Sequence, residues 1–219
     1  MKTDVRATPK PRPRNAAVTR ENILKIATQE FAEHGYDGAS IEAIVLGCEI
    51  SKNLIYHYFD SKEGLFIEVM ERAYGAMRER QNQLTLSGDP VRDMRELVEK
   101  TVQHFIDQPD FHLLLSTENL HKAAHIRKSA VISQMFNPLK AALSQILQEG
   151  KDQGVFRKDA DWVDLYVSIS GLGAYSITNR YTLSYVLDVD LDSPERKASR
   201  LKHASDVVMS YLCDLRPSC

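Results

Sequence analysis

Three short helical segments follow one another between residues 19 and 59, and each begins with a residue type that caps helices. Thr19, Ser40 and Ser51 are typical N-cap residues, and Gly35 is typical of a helix end. At most four residues separate the second segment from the third, which leaves room only for a tight turn. The spacing predicts three helices, of which the last two form a helix-turn-helix.

The apolar residues of these segments recur at the three- or four-residue spacing of a helix. They are Ile23, Ala27 and Phe31, then Ile41, Ile44, Val45 and Cys48, then Ile55 and Phe59. Each set shares one helix face, so the three faces are predicted to form the core of a small domain.

The third segment has a polar and aromatic outer face, formed by Lys52, Asn53, Tyr56 and His57. Asn53 can pair with adenine through two hydrogen bonds, and Lys52 can donate to guanine or to a phosphate. Leu54 can touch the methyl group of thymine. The segment therefore reads as a recognition helix that enters the major groove of DNA.

The charge of the chain is divided unevenly. Residues 1–20 hold six basic groups against one acid and carry +5, so a net charge of −2 leaves −7 for the remainder. Pro9, Pro11 and Pro13 favour an extended chain. Residues 1–14 are therefore predicted to be a flexible basic arm that meets a polyanion.

Targeting and cofactor signals are missing from the sequence. No apolar run approaches the length that spans a bilayer, and the basic N-terminus has no apolar stretch of the kind found in signal peptides. The three cysteines are few and unpatterned. We expect a cytoplasmic protein without a membrane partner, a bound metal or a cofactor.

The rest of the chain is predicted to be helical. Breaks are expected at 87–90, at 108–110, near His121, at 150–159 and at 188–194. The segments at about 160–187 and 194–215 are apolar on more than one side, which predicts a homodimer through these two helices. The fold class is thus all-α, with an N-terminal three-helix helix-turn-helix domain and a larger C-terminal helical bundle that has a two-helix dimerisation face.

One constellation within residues 19–65 resembles the TetR family of bacterial transcriptional regulators. It comprises Phe31, Gly35-Tyr36, Ile44, Ser51-Lys52, Tyr56-His57-Tyr58-Phe59, Ser61-Lys62-Glu63 and Leu65. The match covers about a fifth of the chain, and its Tyr-x-Tyr-Phe-x-Ser-Lys core is highly specific. The resemblance implies a ligand-responsive repressor, not an enzyme, that binds a palindromic operator as a dimer. Its DNA-binding domain would be residues 15–62, and its effector and dimerisation domain residues 63–219.

The resemblance also implies roles for single residues. Tyr56 and the start of the third helix would read bases, while Tyr58 and Lys62 would hold phosphates, and Ser40 joins this DNA-binding set. Two positions depart from the family pattern. The family usually has glycine where Glu49 stands, so either Glu49 adopts a left-handed conformation or Gly47 absorbs the bend. Glu42 stands where relatives often have a basic residue; it would repel phosphate but could accept a hydrogen bond from cytosine.

Residues 115–187 resemble a smaller group of the family that includes a repressor of nicotinate catabolism. The likeness lies in residues 118–121, 154–157 and 179–184. It implies a small aromatic or N-heteroaromatic acid as effector. Candidate effector-binding residues are His104, Phe105, Phe111, Glu118, Phe136, Tyr166, Tyr175 and Asn179. Gly171 and Gly173 would serve either the dimer seam or the space for the effector.

A metal site is the main alternative. Glu118, His121 and His125 stand at i, i+3 and i+7, so on a continuous helix they could reach one metal ion. The chain would then be a helical metal-dependent enzyme or a metal sensor. Against this, Lys122 stands where a zinc protease motif requires glutamate. A third hypothesis is an architectural DNA-binding protein that senses no ligand.

Overall fold

The computed structural model describes residues 13–82 and 84–214, and all regular secondary structure within them is helical. The all-α prediction is thereby confirmed. The α-helices are α1 Pro13–Gly38, α2 Ile41–Cys48, α3 Lys52–Phe59, α4 Lys62–Asn82, α5 Pro90–Asp107, α6 Pro109–Leu120, α7 Ile132–Met135, α8 Asn137–Asp152, α9 Trp162–Thr178, α10 Arg180–Leu187 and α11 Pro194–Cys213. Within these residues no helix is both long and apolar enough to cross a lipid bilayer. Residues 1–12 of the predicted arm lie outside the described part. For its last two residues, 13 and 14, the prediction of extended chain is wrong, because they already belong to α1.

The chain forms two compact units, Met1–Val69 and Met70–Cys219. The boundary falls inside α4, so this one helix belongs to both units. The functional division into an arm, a DNA-binding domain and an effector domain stays a prediction.

The first unit packs the predicted apolar faces together. Ile23, Phe31, Ile44 and Ile55 are fully buried, and Phe31 meets Phe66 of α4 edge to face at 4.9 Å between ring centroids. Such aromatic pairs add stability beyond their buried area. The predicted core of the small domain is confirmed.

The structure confirms two of the predicted helix boundaries and corrects a third. Gly35 interrupts α1 with φ 69°, and the Ser40 hydroxyl accepts a hydrogen bond from the backbone N–H of Ala43 at 3.3 Å. The prediction that Thr19 caps the first helix is wrong, because α1 already begins at Pro13. Proline is compatible with a first helical turn, where its missing N–H would have no helical partner.

The second unit is built on α5, α8, α9 and α11. Its core includes Val98 on α5, Leu143 on α8, Ile169 on α9 and Val208 on α11, all buried. All five predicted breaks are confirmed.

The single helix expected over about 160–187 is wrong, since the chain breaks at Asn179 into α9 and α10. The Asn179 side chain donates to the carbonyl oxygen of Tyr175 at 3.0 Å, the kind of local bond by which asparagine competes with helix continuation.

Candidate nucleic-acid interface

Helix α3 separates an apolar face from a polar one. Ile55 and Phe59 are buried, at 0% and 3% exposure. Lys52, Asn53, Tyr56 and His57 are all exposed. At about 100° per residue, these four side chains share a single side of the helix. The predicted orientation is confirmed, and it presents two amide or amine groups and two rings on one accessible surface.

The turn before α3 is held by the backbone of Glu49. Glu49 takes the left-handed conformation, φ 54° and ψ 41°, which decides between the two predicted alternatives; Gly47 stays within α2. The Glu49 N–H donates to the carbonyl oxygen of Leu46, and the Ile50 N–H donates to the carbonyl oxygen of Val45, both at 3.3 Å. These bonds close the end of α2 and fix the direction in which α3 leaves it.

Glu42 pairs with Lys52, the first residue of α3. Its Oε1 lies 2.5 Å from the Nζ of Lys52, and its Oε2 accepts a hydrogen bond from the Ser40 hydroxyl. The bond to Lys52 lowers the pKa of the Glu42 carboxyl, and the same bond raises the pKa of Lys52. Lys52 also lies 5.9 Å above the ring of Tyr56. The acid therefore neutralises a cation of the candidate surface, a relationship that sequence reasoning did not identify.

Lys62 is directed to the junction between α1 and α2. Its ammonium donates to the carbonyl oxygens of Ala39 at 2.6 Å and Asp37 at 3.3 Å, and it lies 5.0 Å above the ring of Tyr36. Ser40 follows this junction directly. Lys62 therefore has a structural role whether or not it also holds a phosphate. Tyr58 is half-buried on α3, and its ring meets His57 edge to face.

Gly64 positions α3 against α4 and was missed by sequence reasoning. An ideal Cβ at this residue would stand 2.2 Å from the carbonyl oxygen of Phe59, so any side chain would collide with the backbone. The Gly64 N–H donates to the Ser61 hydroxyl at 2.9 Å, which caps α4. A glycine in the first turn of a helix, where it lowers stability relative to alanine, was the available signal.

The Arg20 side chain makes contacts within the first unit. Its guanidinium pairs with Glu68 and lies 5.3 Å above the ring of Phe59. In the sequence Arg20 is one of the six basic groups of residues 1–20, but in the structure it links α1 to α3 and α4.

The second unit brings three of the predicted effector residues into one aromatic cluster. His104, Phe105 and Phe111 are buried, and the ring centroids of His104 and Phe111 lie 5.9 Å apart. His112, which was not predicted, packs edge to face on Phe105 at 4.5 Å, and Tyr74 of α4 meets Phe111 at 5.4 Å.

His112 is buried in this cluster as a neutral imidazole. Burial lowers its pKa to about 4, and neighbouring His104 shifts it in the same direction. Its Nε2 is buried and has no hydrogen-bond partner among the described residues.

Phe136 and Tyr166 form a second contact, edge to face at 5.0 Å, with the guanidinium of Arg78 placed 4.7 Å from the Phe136 ring. Arg78 is itself buried. Burial raises the pKa of Tyr74, with Tyr166 next in effect, while Arg78 acts in the opposite direction. The Tyr74 hydroxyl of the first cluster therefore interacts electrostatically with Tyr166 and Arg78.

The remaining predicted effector residues are used elsewhere. Tyr175 is 61% exposed on α9, and Asn179 caps that helix. Gly173 allows α9 to approach α5, because a Cβ there would stand 2.7 Å from the ring of Phe105, whereas Gly171 faces open space. Gly173 thus serves packing beside the aromatic cluster.

Glu118 is buried and fully engaged. Its carboxylate accepts hydrogen bonds from the backbone N–H groups of His125 and Ile126, at 2.8 and 3.0 Å, and contacts the Nδ1 of His125 at 2.7 Å. Helix α6 ends at Leu120, so Glu118, His121 and His125 do not share one helix face as the alternative required. In the described chain no three His, Cys, Asp or Glu side chains are grouped to hold a metal ion.

Comparisons with known proteins agree with the fold and show the family. Residues 23–69 match the family model of bacterial regulatory proteins, tetR family, and residues 90–208 match the tetracyclin repressor-like C-terminal domain. The HTH-type transcriptional repressor NicS of Pseudomonas putida is 36% identical over 212 residues, which is 96% of this chain and 97% of that protein. The HTH-type transcriptional regulator UidR of Escherichia coli is 41% identical over 68 residues, covering 29% of this chain and 35% of that protein.

Solved structures give the same picture. A transcriptional regulator from Streptomyces coelicolor superposes with a TM-score of 0.69 at 26% identity, covering 89% of this chain and 98% of that one. The regulator PfmR from Thermus thermophilus superposes with a TM-score of 0.67 at 21% identity, covering 86% and 97%. The second likeness concerns the fold alone.

Proposed function

The chain belongs to the TetR family of bacterial regulatory proteins, and from this premise we propose that it represses transcription as a dimer on a palindromic operator. It is a DNA-binding regulator of this family and not an enzyme. The observation that carries the proposal is the face of α3 on which Lys52, Asn53, Tyr56 and His57 are exposed while Ile55 and Phe59 anchor the helix. A chromosomal operator would place the protein in the cytoplasm.

We assign base reading to the exposed face of α3. Asn53 offers the amide that pairs with adenine, and Lys52 can donate to guanine once it leaves Glu42. Tyr56 and His57 complete the surface, and the half-buried Leu54 would touch a thymine methyl group.

Phosphate contacts are assigned to the edges of this surface. Tyr58, Lys62 and Ser40 are the proposed residues, since phosphate contacts orient a protein on the duplex without reading its sequence. Lys62 would keep its bonds to Ala39 and Asp37 and would donate its third N–H group to a phosphate. The basic arm would add further phosphate contacts.

The proposed dimer interface lies on the two predicted segments, which correspond to α9 with α10 and to α11. Their exposed apolar residues include Val163, Val167 and Tyr175 on α9, Tyr185 on α10, and Val207 and Tyr211 on α11. A groove of about 320 Å³ runs between α9 and α11 and is lined by Leu165, Leu172 and Val208 among others. A second copy would cover these apolar groups, and two recognition helices held by a two-fold axis match a palindromic site.

The proposed effector is a small aromatic or N-heteroaromatic acid bound in the second unit. Its ring would pack among Phe111, Phe136 and Tyr166, and its acid group would meet buried Arg78. The buried Nε2 of His112 would gain a hydrogen-bond partner.

Helix α4 provides the proposed route to the DNA. Tyr74 and Arg78 stand on this helix among the aromatic residues, and Lys62 stands at its first turn. An effector that binds a DNA-incompetent arrangement of α4 more tightly would shift the population toward release.

Footprinting on DNA that flanks the chain's own gene tests this function. We expect protection of an inverted repeat, with Asn53→Ala and Tyr56→Ala each weakening binding by about 1–3 kcal/mol. Gln29→Ala, an exposed polar residue of the same unit on α1, is the control and should bind like the parent. A parent protein that protects no inverted repeat, or variants with unchanged affinity, would contradict the assignment.

Effector release is tested separately by adding nicotinate or benzoate to the protein–DNA complex. We expect the acid to dissociate the complex and to raise the melting temperature of the free protein, since a ligand bound only by the folded state stabilises it. Tyr166→Ala should weaken both responses while leaving DNA binding unchanged. Retained responses in that variant would show that the cluster is not the effector site.

A further inference from the structure

A cavity of about 250 Å³ lies between the C-terminal half of α9 and the N-terminal half of α11. Ile106 of α5 and Leu191, from the connection between α10 and α11, complete its lining. None of the residues assigned above to DNA or effector binding lines it. The groove of the proposed dimer interface lies between the same two helices, but the two share no lining residue. The cavity is therefore distinct from each site assigned above.

The α11 side of this cavity is strongly basic. Arg196, Arg200 and His203 stand at i, i+4 and i+7, which places them on one face of α11. Lys197 also lines the cavity, but its ammonium is paired with Asp192 at 2.7 Å. None of the described lining residues is acidic, so the two guanidinium groups give the cavity a positive charge.

Arg200 is held in a fixed orientation. Its Nε and Nη2 both donate to the carbonyl oxygen of Leu172 on α9, at 3.0 and 2.8 Å. The Nη1 group takes no part in this contact. Because the guanidinium is planar, the contact fixes where the remaining donors point, so that they are arranged before any ligand arrives.

The opposite part of the lining is apolar. Ile177 is 7% exposed, and Ile106 and Leu191 are half-buried beside it. Ser176 and Ser199 add two hydroxyl groups to the lining. A site with cations on one side and aliphatic side chains on the other fits a ligand that has both an anionic and an apolar part.

We propose that this cavity binds a small organic carboxylate, with its carboxylate on Arg196 and Arg200 and its apolar body on Ile106, Ile177 and Leu191. Arginine forks suit carboxylates because two N–H groups can donate to the two oxygens at once. Binding here requires neither DNA nor the aromatic cluster. The ligand would contact α5, α9 and α11 together and would thereby stabilise the packing of these three helices.

Because benzoate is also a candidate ligand of the aromatic cluster, the site is tested by calorimetric titration of the full-length Tyr166→Ala protein with benzoate. Benzamide and inorganic phosphate are the comparison ligands. We expect benzoate to bind at least about tenfold more tightly than benzamide, which lacks the charge, and than phosphate, which lacks the apolar body. Arg196→Gln, added to Tyr166→Ala, should weaken benzoate binding by at least about tenfold, as expected for the loss of one charge-assisted hydrogen bond.

Lys202→Gln is the matched control, because it makes the same charge change at an exposed residue of α11 outside the cavity. Added to Tyr166→Ala in place of Arg196→Gln, it should leave benzoate binding unchanged. The Arg196 side chain is exposed, and its backbone N–H bond to the Ser193 hydroxyl does not depend on the side chain, so the variant should fold. Unchanged circular dichroism and melting would verify this.

Three results would overturn the proposal. They are no saturable benzoate binding by Tyr166→Ala at millimolar concentrations, equal binding by Tyr166→Ala with and without Arg196→Gln, or equal binding of benzoate and phosphate. Benzoate binding that survives Arg196→Gln but is lost in Tyr166→Ala would place the ligand in the proposed effector cluster instead. Failure of the cavity would leave the proposed DNA function untouched, since footprinting tests that function without any ligand.

Discussion

The carbonyl oxygen of Phe59 stands 2.2 Å from the point at which a side chain on Gly64 would begin. The end of α3 therefore rests directly on the backbone of the first turn of α4. Phe59 is buried, and Arg20 lies over its ring while pairing with Glu68 of α4. The direction of α3 is thus set by a contact that leaves no room for a side chain on Gly64.

Gly64→Ala should destabilise the first unit by about 1–3 kcal/mol, because the new methyl group forces α3 away from α4. DNA binding should weaken with it. Gly75→Ala, on the same helix with nothing within 4 Å of its Cβ position, should instead stabilise by up to about 1 kcal/mol. Urea unfolding of the two variants measures the difference, and a Gly64→Ala protein as stable as the Gly75→Ala protein would refute the contact.

Glu42→Gln should strengthen DNA binding at low salt by about fivefold and steepen its salt dependence by about one charge, because Lys52 loses its neutralising partner. The bond to Lys52 lowers the pKa of Glu42, so the carboxylate is charged at neutral pH. Glu33→Gln, at an exposed acid of α1, serves as the control. Affinity measured over a salt series decides the matter; a selective loss of operator binding would mean that Glu42 reads a base instead.

The neutral His112 should make stability depend on pH. Burial lowers its folded-state pKa to about 4 from 6.5, so between these values the unfolded chain binds a proton that the native protein does not. Stability is therefore lost as pH falls from 6.5 to 4, by about 3 kcal/mol in all. His112→Leu should lose less stability than the parent between pH 7 and pH 5. Urea unfolding at both pH values gives the comparison, and parallel losses would show that His112 titrates normally.

Val167→Glu should convert the proposed dimer into a monomer. Val167 is 61% exposed on α9, and in a two-fold interface this one substitution would bury two carboxylates, one from each protomer. We expect a loss of about 2–4 kcal/mol in dimerisation. Leu120→Glu, at a residue 84% exposed at the end of α6, should leave the assembly intact. Sedimentation velocity distinguishes the two, and a dimeric Val167→Glu protein would place the interface elsewhere.

Helix periodicity and capping residues made the first unit predictable. Ile55 and Phe59 are buried because they stand four apart on an amphipathic helix, and Ser40 caps α2 as its residue type suggests. The second unit was less predictable. Asn179 ends α9 within a stretch that reads as one continuous apolar helix, and Glu118 is taken up by the turn that follows α6. Neither the end of α9 at Asn179 nor the hydrogen bonds of Glu118 can be predicted from the spacing of apolar residues.

The sequence by itself determined the all-helical class, the helix-turn-helix and the face of α3 that meets solvent, since these depend on interactions between residues at most a few positions apart. Only the tertiary structure decided that Lys52 pairs with Glu42 and that Lys62 binds the carbonyl oxygens of Asp37 and Ala39. It also decided that the ring of Phe105 packs against the backbone of Gly173. Each of these contacts joins residues ten or more positions apart, and their distance is set by how whole helices pack.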